Sequence, residues 1–233
     1  MTSTVPASLT RTAEDAALQA VLLDMDGTLV DTEGFWWDAE VEVFADLGHR
    51  LDEAWRDVVV GGPMTRSAGY LIEVTGADVS LDELTVLLND RFEKRIGRGV
   101  PLMPGAERLL AELAGHGIPT ALVSASHRRI IDQVLESLRP HRFGLTVAGD
   151  EVSRTKPNPE PYLVAAAGLG AAPERCAVIE DTATGVAAAE AAGCRVVAVP
   201  SVAPIAPAPG RQVVGSLEEV DLAFLRRLVS APY

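Results

Sequence analysis

Short apolar runs alternate with helix-like segments along most of the chain after Gly99. In the helix-like segments apolar side chains recur every three or four residues, whereas the runs between them have the length of buried strands. The predicted strands are residues 118–123, 145–148, 176–179 and 195–199, and the predicted helices are residues 104–116, 126–138, 160–167 and 184–192. Strands that alternate with helices are typical of a parallel sheet with helices on both faces. We therefore expect an α/β fold with a doubly wound parallel sheet.

Residues 34–98 interrupt this alternation. They follow a first apolar run at residues 20–23, and they contain no convincing strand but three amphipathic stretches, at residues 35–47, 66–74 and 80–96. A helical insertion between a first strand and the next strand–helix unit indicates a small domain carried on two hinges. The predicted parts are an α/β core of residues 18–33 and 99–233, a helical cap domain of residues 34–98, and a disordered tail of residues 1–17.

Two carboxylates stand at the end of the first predicted strand, in the sequence Asp24-Met25-Asp26-Gly27-Thr28. Side chains two residues apart on a strand point to the same side, and the glycine lets the second carboxylate swing over the first as the chain turns. Two such carboxylates can share one metal ion and one phosphoryl group, at the edge where open α/β sheets bind ligands. The alternative is an ordinary strand-to-turn junction, in which Asp and Gly are common.

Three further polar sites fall just after predicted strands, and the carboxyl ends of parallel strands meet at one edge of a sheet. Ser124 follows the second strand, Lys156 the third, and the acidic pair Glu180-Asp181 the fourth. Each has an ordinary alternative: Ser124 can be a turn residue before a helix, Lys156 a solvated surface charge, and the acidic pair a helix cap. Lys156 is one of only two lysines among 20 basic residues and precedes a proline, which favours a role for a compact ammonium charge. Two acidic pairs on neighbouring strands favour a metal site.

Composition and charge argue against several classes of partner. With 33 acidic and 20 basic side chains the formal net charge is −13, and nucleic acids are bound by basic patches. No segment approaches the roughly 18 consecutive apolar residues of a membrane span, and residues 1–17 lack the pattern of a signal peptide. Cys176 and Cys194 form no CxxC motif and fit two reduced, buried thiols. We expect a cytoplasmic protein with no nucleic-acid or membrane partner.

The four motifs together resemble those of the haloacid dehalogenase (HAD) superfamily of phosphotransferases, in the same order and spacing over residues 20–199. The first motif, DxDGT, matches residues 24–28, and the second, a Ser or Thr after a strand, matches Ser124. The third matches Lys156 in the sequence KPNPEPY, and the fourth, EDxxxGxxAAxAAG, begins at Glu180. The helical insertion resembles the cap of the subfamily that includes β-phosphoglucomutase and small sugar phosphatases. The resemblance implies a Rossmann-like core.

The resemblance also implies roles for these residues in phosphoryl transfer. Asp24 would be the nucleophile that forms an aspartyl-phosphate, and Asp26 the general acid and then the general base. The groups that would position the phosphoryl oxygens are Lys156, Ser124, Thr28 and the amides around Gly27. The implied ligands of a catalytic Mg²⁺ are the Asp24 carboxylate, the Asp26 backbone carbonyl, Asp181, and Glu180 directly or through water.

Two residues of the insertion are candidates for contact with the substrate. Arg66, at the end of the loop of residues 61–66, can contact hydroxyls or a second anion, and Trp36 can line the mouth of the cleft. The alternatives are an inter-helix turn with an exposed arginine and a tryptophan in the core of the cap.

These inferences predict a magnesium-dependent phosphomonoesterase that hydrolyses a small phosphorylated metabolite, with a sugar phosphate as the expected substrate. A phosphomutase is the alternative, but the β-phosphoglucomutases resembled here carry a histidine where this chain has Trp36. A non-catalytic binding protein on the same fold is a further alternative. It would be marked by the loss of a catalytic acid, and no such acid is missing here.

Overall fold

A computed structural model of the chain describes residues 18–59, 64–97, 99–140, 143–201 and 203–231. Its strands are β1 (Ala20–Leu23), β2 (Thr120–Val123), β3 (Leu145–Val147), β4 (Cys176–Glu180), β5 (Arg195–Ala198) and β6 (Arg211–Val213). Its helices are α1 (Glu33–Asp46), α2 (Glu53–Val59), α3 (Met64–Thr75), α4 (Leu81–Ile96), α5 (Ala106–Gly115), α6 (Arg128–Ser137), α7 (Glu160–Gly168), α8 (Ala183–Ala191) and α9 (Leu222–Ser230).

In the described part of the chain, six parallel strands form one sheet in the order β3-β2-β1-β4-β5-β6. The α/β fold with a doubly wound parallel sheet is therefore confirmed. β1 lies in the middle, where Leu23 is paired with Leu122 of β2 and Ile179 of β4. Because the three strands end at the same level, the residues that follow them emerge side by side at one edge.

Both faces of the sheet are packed against helices. Successive residues of a strand face opposite sides, so Val21 and Leu23 join a buried cluster with residues of α5, α6 and α9. Ala20 and Leu22 join a second cluster with residues of α7 and α8. All four side chains of β1 are inaccessible to solvent. This two-sided burial explains why the central strand is a continuous apolar run in the sequence.

Helices α1–α4, which form the helical insertion after β1, pack on one another around Trp37, Phe44, Leu71 and Leu88. α4 begins with a capping box: Ser80 Oγ accepts a hydrogen bond from the Glu83 amide (3.2 Å), and the Glu83 carboxylate accepts one from the Ser80 amide (3.1 Å);. At the other end of α4, Phe92 and Ile96 join the buried cluster on the sheet. This end of α4 therefore fixes the insertion to the layer that contains the sheet.

Three features of the fold differ from the sequence prediction. β6 is missed because three residues of mixed polarity after a proline-rich segment carry too weak a periodic signal. α2, a helix of seven residues, is missed because it is too short to produce a clear periodic signal. α6 begins at Arg128 with His127 at its N-cap, so the helix predicted over residues 126–138 starts later and Ser126 lies outside it.

The two cysteines, Cys176 and Cys194, are buried free thiols, as the sequence predicts. Burial raises the pKa of the Cys176 thiol to about 12, which keeps it protonated and unreactive. Among the described residues, no helix combines the length and the apolar character that crossing a membrane requires. The predicted tail, residues 1–17, lies outside the described residues.

Gly105, at the N-cap of α5, is a position where we expect a side chain to be poorly tolerated. Its φ is +88°, in the left-handed region that L-residues avoid, and a Cβ there would overlap the backbone of Leu217 and Glu218. Gly115 ends the same helix, and an added Cβ would meet no atom within 4 Å.

We expect Gly105→Ala to lower the free energy of unfolding by about 2–4 kcal/mol, because backbone strain and steric overlap add. Gly115→Ala is the control, and it should change this free energy by less than about 1 kcal/mol. Urea denaturation of both variants measures the difference. Equal effects of the two substitutions would contradict this account of α5.

Candidate active site

A pocket of about 380 Å³ is lined on one side by the loops that follow the strands and on the other by helices of the insertion. The sequence-predicted site residues that line it are Asp24, Asp26, Gly27, Trp36, Ser124, Lys156, Glu180 and Asp181. Thr28 is buried and is not part of the lining; its hydroxyl donates a hydrogen bond to Asp181 Oδ1 (3.2 Å). The side chain of Arg66 and the loop at residues 61–63 lie outside the described residues. A pocket of this size suits a small-molecule ligand.

Lys156 lies at the centre of the site. Its Nζ donates hydrogen bonds to Asp24 Oδ1 at 2.6 Å, to Glu180 Oε1 at 2.7 Å and to the carbonyl oxygen of Val123 at 2.9 Å. The ammonium group also lies 5.0 Å from the ring centroid of Tyr162. Burial alone would lower the pKa of Lys156, but the Asp24 and Glu180 carboxylates outweigh burial and hold this pKa well above its usual value;. A charged lysine therefore connects the ends of β1, β2 and β4.

Glu180, the last residue of β4, also orders the turn into α8. Its Oε1 accepts a second hydrogen bond from the Tyr162 hydroxyl (3.0 Å). Its Oε2 accepts hydrogen bonds from the amides of Asp181 and Thr182 and from the Thr182 hydroxyl, each at 3.0 Å. A Cβ at Gly185 would overlap this carboxylate, so the glycine of the fourth motif makes room for it. Because both oxygens have protein donors, Glu180 is better placed to orient its neighbours than to offer a free ligand atom.

Three buried carboxylates can hold a cation together. One oxygen each from Asp24, Glu180 and Asp181 lie within 4.8 Å of one another. Asp24 Oδ2 accepts no hydrogen bond from any described residue, whereas Asp181 Oδ2 accepts one from the Ser201 hydroxyl at 2.5 Å. Carboxylate oxygens are the ligands of hard divalent cations. The chemistry and spacing of these donors therefore fit a metal ion of that type.

The carboxylate of Asp26 stands apart from this group. Its Oδ1 accepts a hydrogen bond from the Thr32 hydroxyl (2.8 Å), and its Oδ2 accepts hydrogen bonds from the hydroxyls of Ser124 (3.1 Å) and Ser126 (2.9 Å). Burial raises the pKa of Asp26, although the three hydrogen bonds act in the opposite direction;. A carboxyl group with a raised pKa and a fixed orientation can deliver a proton to a ligand in the pocket.

Negative charge exceeds positive charge where the four described acids and Lys156 meet. Burial raises the pKa of Asp24 well above its usual value; the Lys156 ammonium opposes this rise and the neighbouring acids add to it. Burial, and then repulsion from Glu180, raises the pKa of Asp181 to about 7. Each shift expresses the cost of holding these carboxylates ionised without a further positive charge.

The sequence interpretation misses four residues that the structure brings into this network: Thr32, Ser126, Tyr162 and Ser201. Ser126 donates to Asp26 rather than capping α6, and its position two residues after Ser124 is the signal that could have found it. Tyr162 is the last residue of the KPNPEPY sequence, and its fixed position after Lys156 in that sequence is the signal that could have found it. Thr32 and Ser201 have no local pattern that distinguishes them from ordinary turn residues.

Comparison with known proteins gives relatives over most of the chain. Residues 18–193 match the family described as haloacid dehalogenase-like hydrolase. The bifunctional riboflavin kinase/FMN phosphatase of Arabidopsis thaliana is 35% identical over 183 residues, which are 78% of this chain and 48% of that protein. The chain thus spans about half the length of that relative. The phosphorylated carbohydrates phosphatase of Thermotoga maritima is 30% identical over 180 residues, which are 76% of this chain and 82% of that protein.

A similar solved structure supports the same assignment. It is a variant of CbbY from Rhodobacter sphaeroides in complex with xylulose-1,5-bisphosphate, with a TM-score of 0.76 and 26% sequence identity. The similarity covers 89% of this chain and 99% of that one, so it includes both the sheet and the helical insertion. On the evidence of the family match, its relatives and its fold, the chain belongs to the haloacid dehalogenase-like hydrolase family.

Proposed function

We propose that this protein is a magnesium-dependent phosphatase that hydrolyses a small phosphorylated metabolite, in particular a sugar phosphate, through an aspartyl-phosphate. The observation that carries the proposal is the position of Asp24 in the pocket. Lys156 Nζ holds Asp24 Oδ1 at 2.6 Å, while Oδ2 accepts no hydrogen bond from any described residue. A carboxylate held by one oxygen at a strand end offers the other oxygen as a nucleophile.

In the first step of the proposed reaction, an Asp24 oxygen bonds to phosphorus while the bond from phosphorus to the leaving oxygen breaks. Lys156 keeps Asp24 in place and provides positive charge beside the phosphoryl oxygens. Asp26, whose pKa is raised by burial, begins protonated and transfers its proton to the leaving oxygen. The alcohol departs, and the phosphoryl group remains on Asp24.

In the second step, water attacks phosphorus and the bond from phosphorus to Asp24 breaks. Asp26, now ionised, accepts a proton from that water. The hydroxyls of Thr32, Ser124 and Ser126 hold the Asp26 carboxylate in one orientation and stabilise its charged form;. Acid–base catalysis of this kind contributes about 10²–10⁴-fold to a rate.

The groups that we propose to hold Mg²⁺ are the carboxylates of Asp24 and Asp181 and the backbone carbonyl of Asp26, with Glu180, whose oxygens already accept protein hydrogen bonds, acting through water. When bound, the ion would supply positive charge that polarises the phosphoryl group and reduces its repulsion from the nucleophile. Thr28 and Ser201 orient the Asp181 carboxylate through hydrogen bonds of 3.2 and 2.5 Å. These two hydroxyls therefore act on the proposed metal site without being ligands.

We also propose that residues 34–98 form a cap domain on a core of residues 18–33 and 99–233. Helices α1 and α4 supply part of the pocket lining, from which a cap can exclude water and contact the leaving group. A sugar phosphate is supported by the T. maritima relative, whose name is phosphorylated carbohydrates phosphatase. The proposed substrate contacts from the sequence are Gly27, Trp36 and Arg66, whereas Thr28, which was also predicted, does not line the pocket and contacts Asp181 instead.

Trp36 favours hydrolysis over phosphoryl transfer between sugar positions. It lines the pocket where the resemblance would place a histidine in a mutase. Its indole stacks on Phe92, with ring centroids 3.9 Å apart and an interplanar angle of 13°. An indole in this position cannot act as an acid or a base, so water is the acceptor that the residues support best.

Phosphate release from hexose, pentose, glycolate and nucleotide monophosphates, with and without Mg²⁺, tests the proposed function. We expect magnesium-dependent release that Asp24→Asn lowers by at least about 10³-fold, because the nucleophile is lost. Asp31→Asn, at an exposed position in the same loop, is the matched control and should retain activity. Absence of release from every compound, or conversion of β-glucose 1-phosphate to its 6-phosphate instead, would refute the proposal.

Asp26→Asn tests the acid–base role. We expect it to lower release from an alkyl phosphate by about 10²–10⁴-fold, because the leaving alkoxide needs a proton. The first turnover of p-nitrophenyl phosphate should be much less affected, since p-nitrophenolate departs without one. Rapid-mixing measurements compare the two substrates. Equal losses in their first turnovers would show that Asp26 does not act as the general acid.

The excess of carboxylates predicts that stability depends on pH and on Mg²⁺. The pKa of Asp181 is about 7 in the folded protein, well above the ordinary value of 3.8 for an aspartate. The folded state therefore binds more protons, and stability falls as the pH rises from about 4 to about 7. We expect Mg²⁺ to raise the melting temperature more at about pH 8 than at about pH 5, and Asp181→Asn to reduce this difference. Identical shifts at both pH values would count against the proposed metal site.

A further inference from the structure

Four residues of α1 line the pocket: Glu33, Trp36, Trp37 and Glu40. These residues have the spacing i, i+3, i+4 and i+7, which places them on the same side of a helix. Since an α-helix rises 1.5 Å per residue, Glu40 lies about 10 Å farther along the axis than Glu33. Thr32, directly before α1, contacts Asp26. Glu40 therefore occupies the end of the pocket that is remote from the acid–base carboxylate.

Glu40 is buried without a partner. Its exposed fraction is 5%, yet its carboxylate forms no hydrogen bond or ion pair with any described residue, and burial raises its pKa to about 8. Asn89 of α4 has an exposed fraction of 2% and also lines the pocket, and its amide has no hydrogen-bond partner among the described residues. Buried polar groups nearly always have partners. Two without partners in one pocket wall indicate that a ligand provides them.

The described lining from α1–α4 carries no positive charge. It consists of two carboxylates, an amide, two hydroxyls, two indole rings and Val59. A second phosphate or a carboxylate at this end would be buried without a described counter-charge, which is unfavourable. Hydroxyl groups suit it better, because a hydroxyl both donates and accepts and can therefore pair with the Glu40 carboxyl group in either protonation state and with either end of the Asn89 amide.

The length of the pocket restricts the leaving group further. An extended chain advances roughly 1.2 Å per bond, so a two-carbon leaving group that starts at Asp26 ends well short of Glu40. A chain of five or six carbons, with its terminal hydroxyl, extends roughly 7–8 Å, which covers most of the rise of α1 between Glu33 and Glu40. The distance along α1 thus selects for size, and the chemistry of the pocket wall selects for hydroxyl groups.

We propose that Glu40 and Asn89 bind the hydroxyl groups of a neutral, polyhydroxylated leaving group of five or six carbons, and that Glu40 determines substrate specificity. The inference rests on the proposed phosphatase function and identifies the leaving group that this site accepts. Glu40 acts on binding of the leaving group, whereas the residues at the sheet edge act on the phosphoryl group.

A pair of substrates that differ only in hydroxyl groups tests the proposal: a hexitol 6-phosphate and hexyl phosphate. We expect the wild-type protein to favour the hexitol phosphate in kcat/KM by at least about tenfold. Glu40→Leu should reduce this ratio by about 10- to 100-fold, because a hydroxyl of the ligand is then buried without its hydrogen-bond partner. Glu40→Gln should reduce it less, because an amide oxygen still accepts. An unchanged ratio in Glu40→Leu would overturn the proposal.

Glu42→Gln is the matched control on the same helix. Glu42 is exposed and pairs with Arg95 (2.6 Å) on the outer side, so its substitution should leave the substrate ratio unchanged. A hexitol 1,6-bisphosphate and 6-aminohexyl phosphate complete the panel and distinguish hydroxyl recognition from recognition of an anion or an ammonium group. A higher kcat/KM for either of them than for the hexitol 6-phosphate would also overturn the proposal.

Binding without turnover separates this inference from the proposed function. Calorimetry with the Asp24→Asn protein measures the Kd of the hexitol phosphate, and adding Glu40→Leu should weaken it by about 10- to 100-fold. Inorganic phosphate, which has no leaving group, reports whether the double variant is folded and binds at the sheet edge. If the wild-type protein released no phosphate from any compound, the proposed function would fail, while the two Kd values would still decide the role of Glu40.

Discussion

The buried ammonium group of Lys156 joins the ends of β1, β2 and β4, through Asp24, the carbonyl oxygen of Val123 and Glu180. Parallel pairing brings these three strand ends to the same level, but it does not fix side chains that extend past the sheet. The ammonium group does so, because each of its three hydrogen bonds ends on a different strand. Removing one partner of a buried ion pair typically costs about 3–5 kcal/mol, since a charge is then left without compensation. The arrangement of Asp24, the proposed nucleophile, therefore depends on this one residue more than on local backbone geometry.

The same interaction leaves the site with too much negative charge. One ammonium group cannot neutralise the carboxylates around it. Burial raises the pKa values of Asp24, Asp26 and Asp181, and repulsion from neighbouring carboxylates adds to the rise at Asp24 and Asp181. A site arranged for stability alone would contain fewer acids, because buried carboxylates without counter-charges oppose folding. This unfavourable contribution to folding is explained if a cation completes the site. The carboxylates that destabilise the protein without the ion are those that would hold it.

The sequence predicts those features that depend on local pattern. The apolar runs identify five of the six described strands, and because parallel strands end at one edge, the motifs that follow them converge, as Asp24, Lys156 and Glu180 do. β6 and α2 are too short to produce a periodic signal. The contacts of Thr32 and Ser201 depend on how distant segments meet, so no local rule finds them. Glu40 shows the same limit, because an acidic residue on a helix is ordinarily exposed and only the packed helices reveal that it is buried.

The position of α1 relates the two ends of the pocket to each other. The residue before the helix, Thr32, donates a hydrogen bond to Asp26, and the helix then runs along the pocket wall to Glu40. An α-helix is stiff over two turns, so the distance between Asp26, the proposed acid–base group, and Glu40 is set by the backbone rather than by flexible side chains. Stacking of Trp36 on Phe92 fixes α1 to α4, and α4 is fixed to the sheet through Phe92 and Ile96. A leaving group that spans this distance would be held at both ends by one rigid body, which is the condition under which binding of a remote hydroxyl can contribute to placing the reacting oxygen beside Asp26.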